Sequence, residues 1–432
     1  MRGLKEKLKK ANTMQLTKEQ IINIILYMII IVMPLIVTKK IEPKFLMGKI
    51  AFLYIACTLA FIVFIWNKKY DFKKEHIFAI LFILSILISV IFSPFKKTAL
   101  SGSFSRYEGF VSILIYVVLF IISSQYFKVN KKSINLLLIV GSIMGIYGVL
   151  QILGIDPIQD WMFDGTIKKV AYGTIGNRNF FSSYLILFLT LSTALYIFKG
   201  EKKYLIYTIL IYLGEVCTLT RSGWIAYFIC LVLLSFFAFK EKKIKRIIIL
   251  IVILAISTAS INFISQNQIF GRVEHTKTEF AGKIEKSKNS SSSSRIHILK
   301  VCLEVFKDSP FLGTGPDTLG ERLSKDYKNY VNEHIKLYGA TIDKAHNEYL
   351  EYAVSCGAFT LIFYLILIFY ILKGMLKNIK DDKFKIIFCI ILSYLIQAIL
   401  NISVPGVAPL FWILLGYALQ QIYFSKNKKS IY

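Results

Sequence analysis

The chain has 432 residues, 55% of them hydrophobic, and a formal net charge of +27. Its mean hydropathy of +0.58 lies far above that of a soluble globular chain, which excludes a water-exposed fold built around one core. In a soluble protein such a charge would suggest a nucleic-acid surface, but here the lysines fall in short clusters between long apolar runs and read as topological.

A helix that crosses a bilayer needs roughly 20 apolar residues. Twelve such runs follow one another, at about 21–38, 46–66, 76–93, 109–126, 134–153, 180–198, 204–220, 223–239, 246–264, 348–372, 384–403 and 407–424. The first follows a lysine-rich start, but it lacks a small-residue cleavage site and contains Pro34, so it is expected to be a retained helix. Alternate short loops, such as those holding Lys68, Lys69, Lys73 and Lys74 or Lys240, Lys242, Lys243 and Lys245, carry about three times as many basic residues as the loops between them. That bias predicts both termini in the cytoplasm. The fold class is all-α, a polytopic transmembrane bundle of about twelve helices. Residues 1–264 hold helices 1–9, 265–347 form an extracytoplasmic loop with amphipathic helices, and 348–432 hold helices 10–12 and a cytoplasmic tail.

Within the large loop, the serine run Ser290–Ser294 reads as a flexible linker. Beyond it, Ile296, Leu299, Leu303 and Phe306 recur at helical spacing, with Lys300, Glu304 and Lys307 between them. This predicts an amphipathic helix capped by Ser294 and lying on the outer leaflet or on the bundle. Ser309-Pro310-Phe311-Leu312-Gly313-Thr314-Gly315-Pro316 then makes turns.

Several chemistries lack their motifs. There is no G-x-x-x-x-G-K-[ST] loop, no strand-linked G-x-G-x-x-G and no H-E-x-x-H, which argues against ATP-driven transport and soluble-nucleotide chemistry. Cys57, Cys217, Cys230, Cys302, Cys356 and Cys389 lie singly, so neither a disulfide framework nor a bound metal is expected. Glu215 is the main acidic residue read at depth, which leaves a proton or cation relay little to run on.

The outer face, by contrast, gathers arginines at helix ends. Ser105-Arg106-Tyr107-Glu108-Gly109 precedes the fourth run, and Gly173-Thr174-Ile175-Gly176-Asn177-Arg178-Asn179 opens the sixth. In both, an anion near a helix start would meet backbone N–H groups and a guanidinium. Thr220-Arg221-Ser222-Gly223 is a tight turn that keeps Arg221 at the interface; Arg295 precedes the amphipathic helix, and Ala345-His346-Asn347-Glu348 enters the tenth run. Arginine binds phosphate bidentately and keeps its charge, so several at one membrane face suit a lipid diphosphate. His346 is the imidazole placed to take a proton from an attacking hydroxyl near neutral pH. Each feature also has a plainer reading: an interfacial arginine anchors its helix among headgroups, a histidine at a helix start is a solvated cap, Glu108 pairs with Arg106, and Asp317 steadies a glycine-rich turn. His275, His297 and His334 read as surface residues, and His76 faces the other side.

The run from His346 reads His, Asn, nine residues, Gly357, two residues, Thr360, and this resembles the signature of O-antigen ligases. The twelve-helix plan, the long outer loop, the G-N-R-N stretch, the T-R-S turn and Arg295 followed by a G-T-G turn are similar to that family too. The resemblance implies a GT-C-like, metal-independent glycosyltransferase without a cofactor. Such an enzyme moves a glycan from undecaprenyl diphosphate to an acceptor on the outer side of the bacterial cytoplasmic membrane. His346, Arg221 and Arg295 match the family's essential residues; Arg106, Arg178, Asn177 and Asn347 are the expected substrate-binding side chains. The partners implied are the lipid-linked donor, membrane lipid, and a glycan, lipid or protein acceptor. Wzy-type polymerases and protein O-oligosaccharyltransferases share much of this pattern, and a flippase or exporter of lipid-linked polysaccharide is the alternative of another class. The loop lacks the Trp often found after the arginine; Leu299 or a neighbour stands there.

Overall fold

The computed structural model describes residues 16–162, 169–280 and 291–429, and all regular secondary structure among them is helical. In order come α1 (Lys18–Ile31), α2 (Met47–Asn67), α3 (Lys74–Ile91), the short α4 (Lys96–Ser101), α5 (Phe110–Tyr126), α6 (Lys131–Ile152) and the short α7 (Pro157–Met162). They are followed by α8 (Arg178–Lys199), α9 (Lys202–Cys217), α10 (Arg221–Lys240) and α11 (Ile244–Ile264). Next come α12 (Gln268–Phe280), α13 (Ser291–Asp308), α14 (Leu319–Asp326) and α15 (Lys328–Tyr338), then α16 (Glu348–Cys356), α17 (Ala358–Leu376), α18 (Asp382–Ala398) and α19 (Ala408–Lys429).

Every apolar run of the sequence carries a helix, because in hydrocarbon each backbone N–H and C=O must be satisfied within its own segment. By length and composition, 8 of the described helices suffice to cross a membrane. α5, α9, α18 and α19 pack lengthwise among them: α5 runs along α19, α9 along α6, and α18 along both α8 and α10. α8 is the central helix, 89% buried where the other candidate spans are 28–44% buried. The first run stops short of its expected end, since Pro34 lacks an N–H and the chain passes into a 3₁₀ turn, Met33–Leu35.

The tenth run is not one helix. It breaks at Gly357, whose φ of +88° ends α16 before α17 begins. The break is filled by the turn from the large loop: Ala358 N donates to Pro310 O at 2.7 Å, and Thr314 N and Gly315 N donate to Ser355 O at 3.0 and 2.8 Å. A Cβ at Gly357 would fall 2.0 Å from Phe311 O. Two hydroxyls of α3 complete the joint, Ser89 donating to Leu312 O and Ser93 to Thr314 O. The loop is thereby pinned to α3 and to the helix that begins at Glu348.

Several loop expectations need correction. Ser291–Ser294 are not linker; they form the first turn of α13, so Ser294 lies inside the helix instead of capping it. Ser290 falls outside the described residues. The buried face of α13 is Ile298, Val301, Cys302 and Val305, packed against Leu319, Leu323, Ile342 and Val354, whereas Ile296, Leu299 and Leu303 are exposed. The helix has two apolar stripes, and the loop core took the one with smaller, β-branched members. Leu299, standing near the missing Trp, has no part in that core. His334 is not a surface residue: it is buried, 3.0 Å from His297 Nδ1 and 3.3 Å from Ser294 Oγ. Burial and the neighbouring His297 and His346 hold its ring below the usual imidazole range. The side chain of His275 lies outside the described residues, and His76 is buried at the opposite end, against Ser124.

Replacing Gly357 by Ala adds backbone strain of about 1–3 kcal/mol before any clash with Phe311 is counted. The thermal midpoint of the purified protein in detergent is expected to fall by several degrees, whereas Gly271→Ala, with nothing within 4 Å of the added methyl, leaves it unchanged or higher.

Candidate active site

Five arginines converge where the central helix begins. Asn177 caps α8 through Oδ1, which accepts from Asn179 N at 2.8 Å, and Arg178 is the first helical residue. The three-residue turn between α9 and α10 brings Arg221 alongside. Leu219 in this turn adopts a φ of +53°, and Thr220 Oγ1 donates to Arg178 O at 3.3 Å. α10 can approach this closely because residue 223 is glycine. A Cβ there would fall 2.0 Å from both Glu215 Oε1 and Ser182 Oγ, which are hydrogen-bonded to each other at 2.5 Å. Gln397 donates to the same Ser182 hydroxyl at 2.9 Å, so α18 joins the contact.

The loop helices supply two more cations. Arg178, Arg221, Arg272 and Arg295 line one pocket of about 50 Å³ with Asn179, Leu219, Thr220 and Ser222. Arg272, on α12, was not among the residues the sequence singled out. Its only signal was scarcity: most of the basic residues are lysines, and an isolated arginine beside the bundle should have been counted. Guanidiniums gathered at one pocket are donors of the kind that bind phosphate-type groups bidentately.

Arg106 lies on the other side of the α8 start. It does not pair with Glu108. Its Nη2 and Nε donate to Asp343 at 2.6 and 3.3 Å, and the guanidinium lies 5.6 Å from the centre of the Phe180 ring. Glu108 is instead buried, accepting from Ser403 Oγ at 2.5 Å and Tyr116 Oη at 3.1 Å. That burial pushes its carboxyl up to about 8, against the opposing hydrogen bond from Ser403. Ser105, Arg106, Asn177 and Phe180 border a second cavity of about 270 Å³, with Phe45, Lys44 and Lys49 facing them.

His346 feels the charge of Arg106 in one arginine group and of Arg295 in the other. It is half-buried with a φ of +50°, a conformation rare outside glycine that persists only where its surroundings impose it. The surroundings are a buried ion cluster: Lys344 Nζ lies 2.8 Å from Asp317 Oδ1 and 3.0 Å from Glu351 Oε1, and Ala345 N donates to Glu351 Oε2 at 2.8 Å. Asp317 does more than steady its turn, because Oδ2 also accepts from Ser103 N and Glu108 N, at 2.6 and 3.2 Å. Burial alone would lower the Lys344 ammonium, but the two carboxylates outweigh it and hold it well above the usual lysine range. Asn347 is the α16 cap, its Oδ1 accepting from Leu350 N at 2.9 Å. The amide oxygens of both candidate asparagines, Asn177 and Asn347, are therefore engaged by helix starts.

The His346 ring is held below the ordinary imidazole range, chiefly by burial and further by the charges of Arg295 and Arg106, while Asp343 and Glu351 pull it back up. It is accordingly neutral near pH 7 and able to accept a proton. Acids at depth are more numerous than the sequence suggested: besides Glu215, Glu348 is buried and accepts from Tyr364 and Tyr394 Oη at 2.9 and 3.0 Å. A larger cleft, about 590 Å³, opens at the lysine-rich end of the bundle, but its wall is mostly aliphatic and holds no arginine.

Lys344→Met leaves Asp317 and Glu351 as buried charges without their cation. Removing one partner from such a cluster costs about 3–5 kcal/mol, so the variant is expected to unfold well below the wild-type thermal midpoint or fail to accumulate in the membrane.

All six cysteines are separate and buried. No protein of curated function matches the chain. Residues 206–365 match the family model described as O-antigen ligase, a segment that reaches from α9 into α17 and holds Arg221, Arg272, Arg295 and His346, while Arg106 and Arg178 precede it. That match supports a glycan-transferring, ligase-like activity with a lipid-linked donor and an acceptor. Over that segment the chain is similar to O-antigen ligases, and its apolar helices are those of a polytopic helical membrane protein.

Proposed function

We propose that the protein transfers a glycan from a polyprenyl diphosphate carrier to an acceptor hydroxyl on the outer side of the cytoplasmic membrane, with both of its own termini inside. The observation that carries this reading is the pocket of four arginines, with His346 within electrostatic reach of one of them, Arg295. Arg178, Arg221, Arg272 and Arg295 hold the donor diphosphate, whose polyprenyl tail lies along the helices. His346 takes the proton of the acceptor hydroxyl as its oxygen attacks the anomeric carbon. The bond from that carbon to the diphosphate breaks, the electron pair leaves with the diphosphate, and the arginines stabilise the charge that develops there. A single displacement inverts the anomeric centre. The flippase alternative is disfavoured because Arg106, Arg178, Arg221, Arg272 and Arg295 lie toward one end of the bundle instead of marking a path through it.

The test is glycan transfer in membranes from cells expressing each variant, with protein amounts matched. Arg221→Ala and Arg272→Ala are each expected to lower the rate about 10²–10³-fold, the usual loss when one preorganised charge donor is removed. His346→Gln should lower it at least as far; near-normal transfer by His346→Gln together with Arg221→Ala removes the mechanism.

The pH dependence follows from the same group. A base must be deprotonated, so transfer should fall on acidification, with a midpoint below the ordinary imidazole value because burial and Arg295 depress the ring. Asp343→Asn removes a negative charge that favours the imidazolium, so the midpoint should move to still lower pH. A shift to higher pH would contradict the assignment of the titrating group.

A further inference from the structure

Building on that transferase reading, we infer that the second cavity, bounded by Phe45, Ser105, Arg106, Asn177 and Phe180, is the subsite for a hexopyranosyl ring of the acceptor. The first argument is position. Asn177 and Arg178 are adjacent residues of one helix start, yet Asn177 faces this cavity and Arg178 faces the four-arginine pocket. The first turn of α8 thus borders both. A general base has to reach the acceptor hydroxyl, and the second cavity is bordered by Arg106, whose charge acts on the His346 ring as that of Arg295 in the first does.

The lining supplies the second argument. Phe45 and Phe180 are both half-buried, and they offer apolar surface of the kind that packs against the C–H face of a sugar ring. Hydrogen-bonding groups surround them: the Ser105 hydroxyl, the Asn177 amide, Glu42, Lys44 and the Arg106 guanidinium. Arg106 gives Nε and Nη2 to Asp343, and Nη1 carries two further N–H donors on a group already held in place. About 270 Å³ lies at the small end of ligand pockets and matches a short glycan terminus, not an extended chain. The floor is fixed: Lys49 is buried and donates to Phe45 O and Thr174 O, both at 2.7 Å, which ties the α1–α2 loop to the segment before α8.

The experiment exploits the six buried native cysteines, which leave Ser105→Cys as the accessible thiol. The full-length variant in nanodiscs is labelled with a maleimide in the presence of methyl hexopyranosides, neutral and uronate, or of farnesyl diphosphate. At least one glycoside is expected to slow labelling by about fivefold or more, and adding Phe180→Leu or Phe45→Leu should abolish that protection while thermal midpoints stay unchanged. If a phenylalanine variant unfolds, protection in Ser105→Cys alone still decides. Absence of protection by every glycoside, protection by farnesyl diphosphate instead, or protection that survives both phenylalanine changes would overturn the assignment. A separate arm measures farnesyl diphosphate binding to Arg221→Ala. Undiminished binding there counts against the donor site, so the two readings fail by different observations.

Discussion

The joint between the 310–315 turn and the helix break at Gly357 is the contact on which the arrangement of the site depends. A helix end inside an apolar bundle leaves carbonyl groups that cannot be left bare, and here Ser355 O accepts from Thr314 N and Gly315 N. The loop in turn gains a fixed seat on α3 through Ser89 and Ser93. Without this exchange the loop helices would be held to the bundle by fewer contacts, among them those of Asp317 with Ser103 and Glu108 and of Asp343 with Arg106. The break thus converts a polar insertion into part of the scaffold.

A second constraint is electrostatic. Arg178, Arg221, Arg272 and Arg295 meet at one pocket, and the charges of Arg295 and Arg106 both act on the His346 ring. The carboxylates present are placed to hold the scaffold: Asp317 and Glu351 take Lys344, and Asp343 takes Arg106. What they stabilise is the segment 343–347, including the left-handed backbone of His346. Among the described residues these groups are therefore sorted by place: the three carboxylates steady the backbone around the imidazole, and four guanidiniums border one small pocket. The depressed His346 ring follows from that sorting, because burial and two arginines outweigh Asp343 and Glu351.

Much of this was legible in the sequence, for identifiable reasons. The bilayer imposes apolar runs of nearly fixed length, so the helices could be counted, and alternation then put Arg106, Arg178, Arg221, Arg295 and His346 on one face before any packing was known. Arg272 escaped because its place depends on how α12 folds back onto the bundle, which no local pattern encodes. The inner face of α13 was misread for a related reason. The stripe through Ile296, Leu299 and Leu303 is as regular as the one through Ile298, Val301 and Val305, and only tertiary contact chooses between two apolar stripes on one helix. The His297–His334 contact and the Arg106–Asp343 pair join residues 37 and 237 positions apart, and such pairings leave no trace in spacing.

The signature that begins at His346 acquires a mechanical meaning from the same geometry. Its second residue, Asn347, caps α16 with its side-chain oxygen. The nine residues that follow are the nine of α16, and Gly357 is the break that admits the loop turn. Thr360, one turn into α17, donates back to Cys356 O at 3.0 Å and meets Ser85 of α3 at 2.9 Å, so it secures the far side of the break. The spacing therefore measures the rod that joins the base to the joint. Inserting or deleting one residue in α16 would rotate its cap, and His346 beside it, by about 100° relative to the break. The length of that rod is fixed by the two ends it connects.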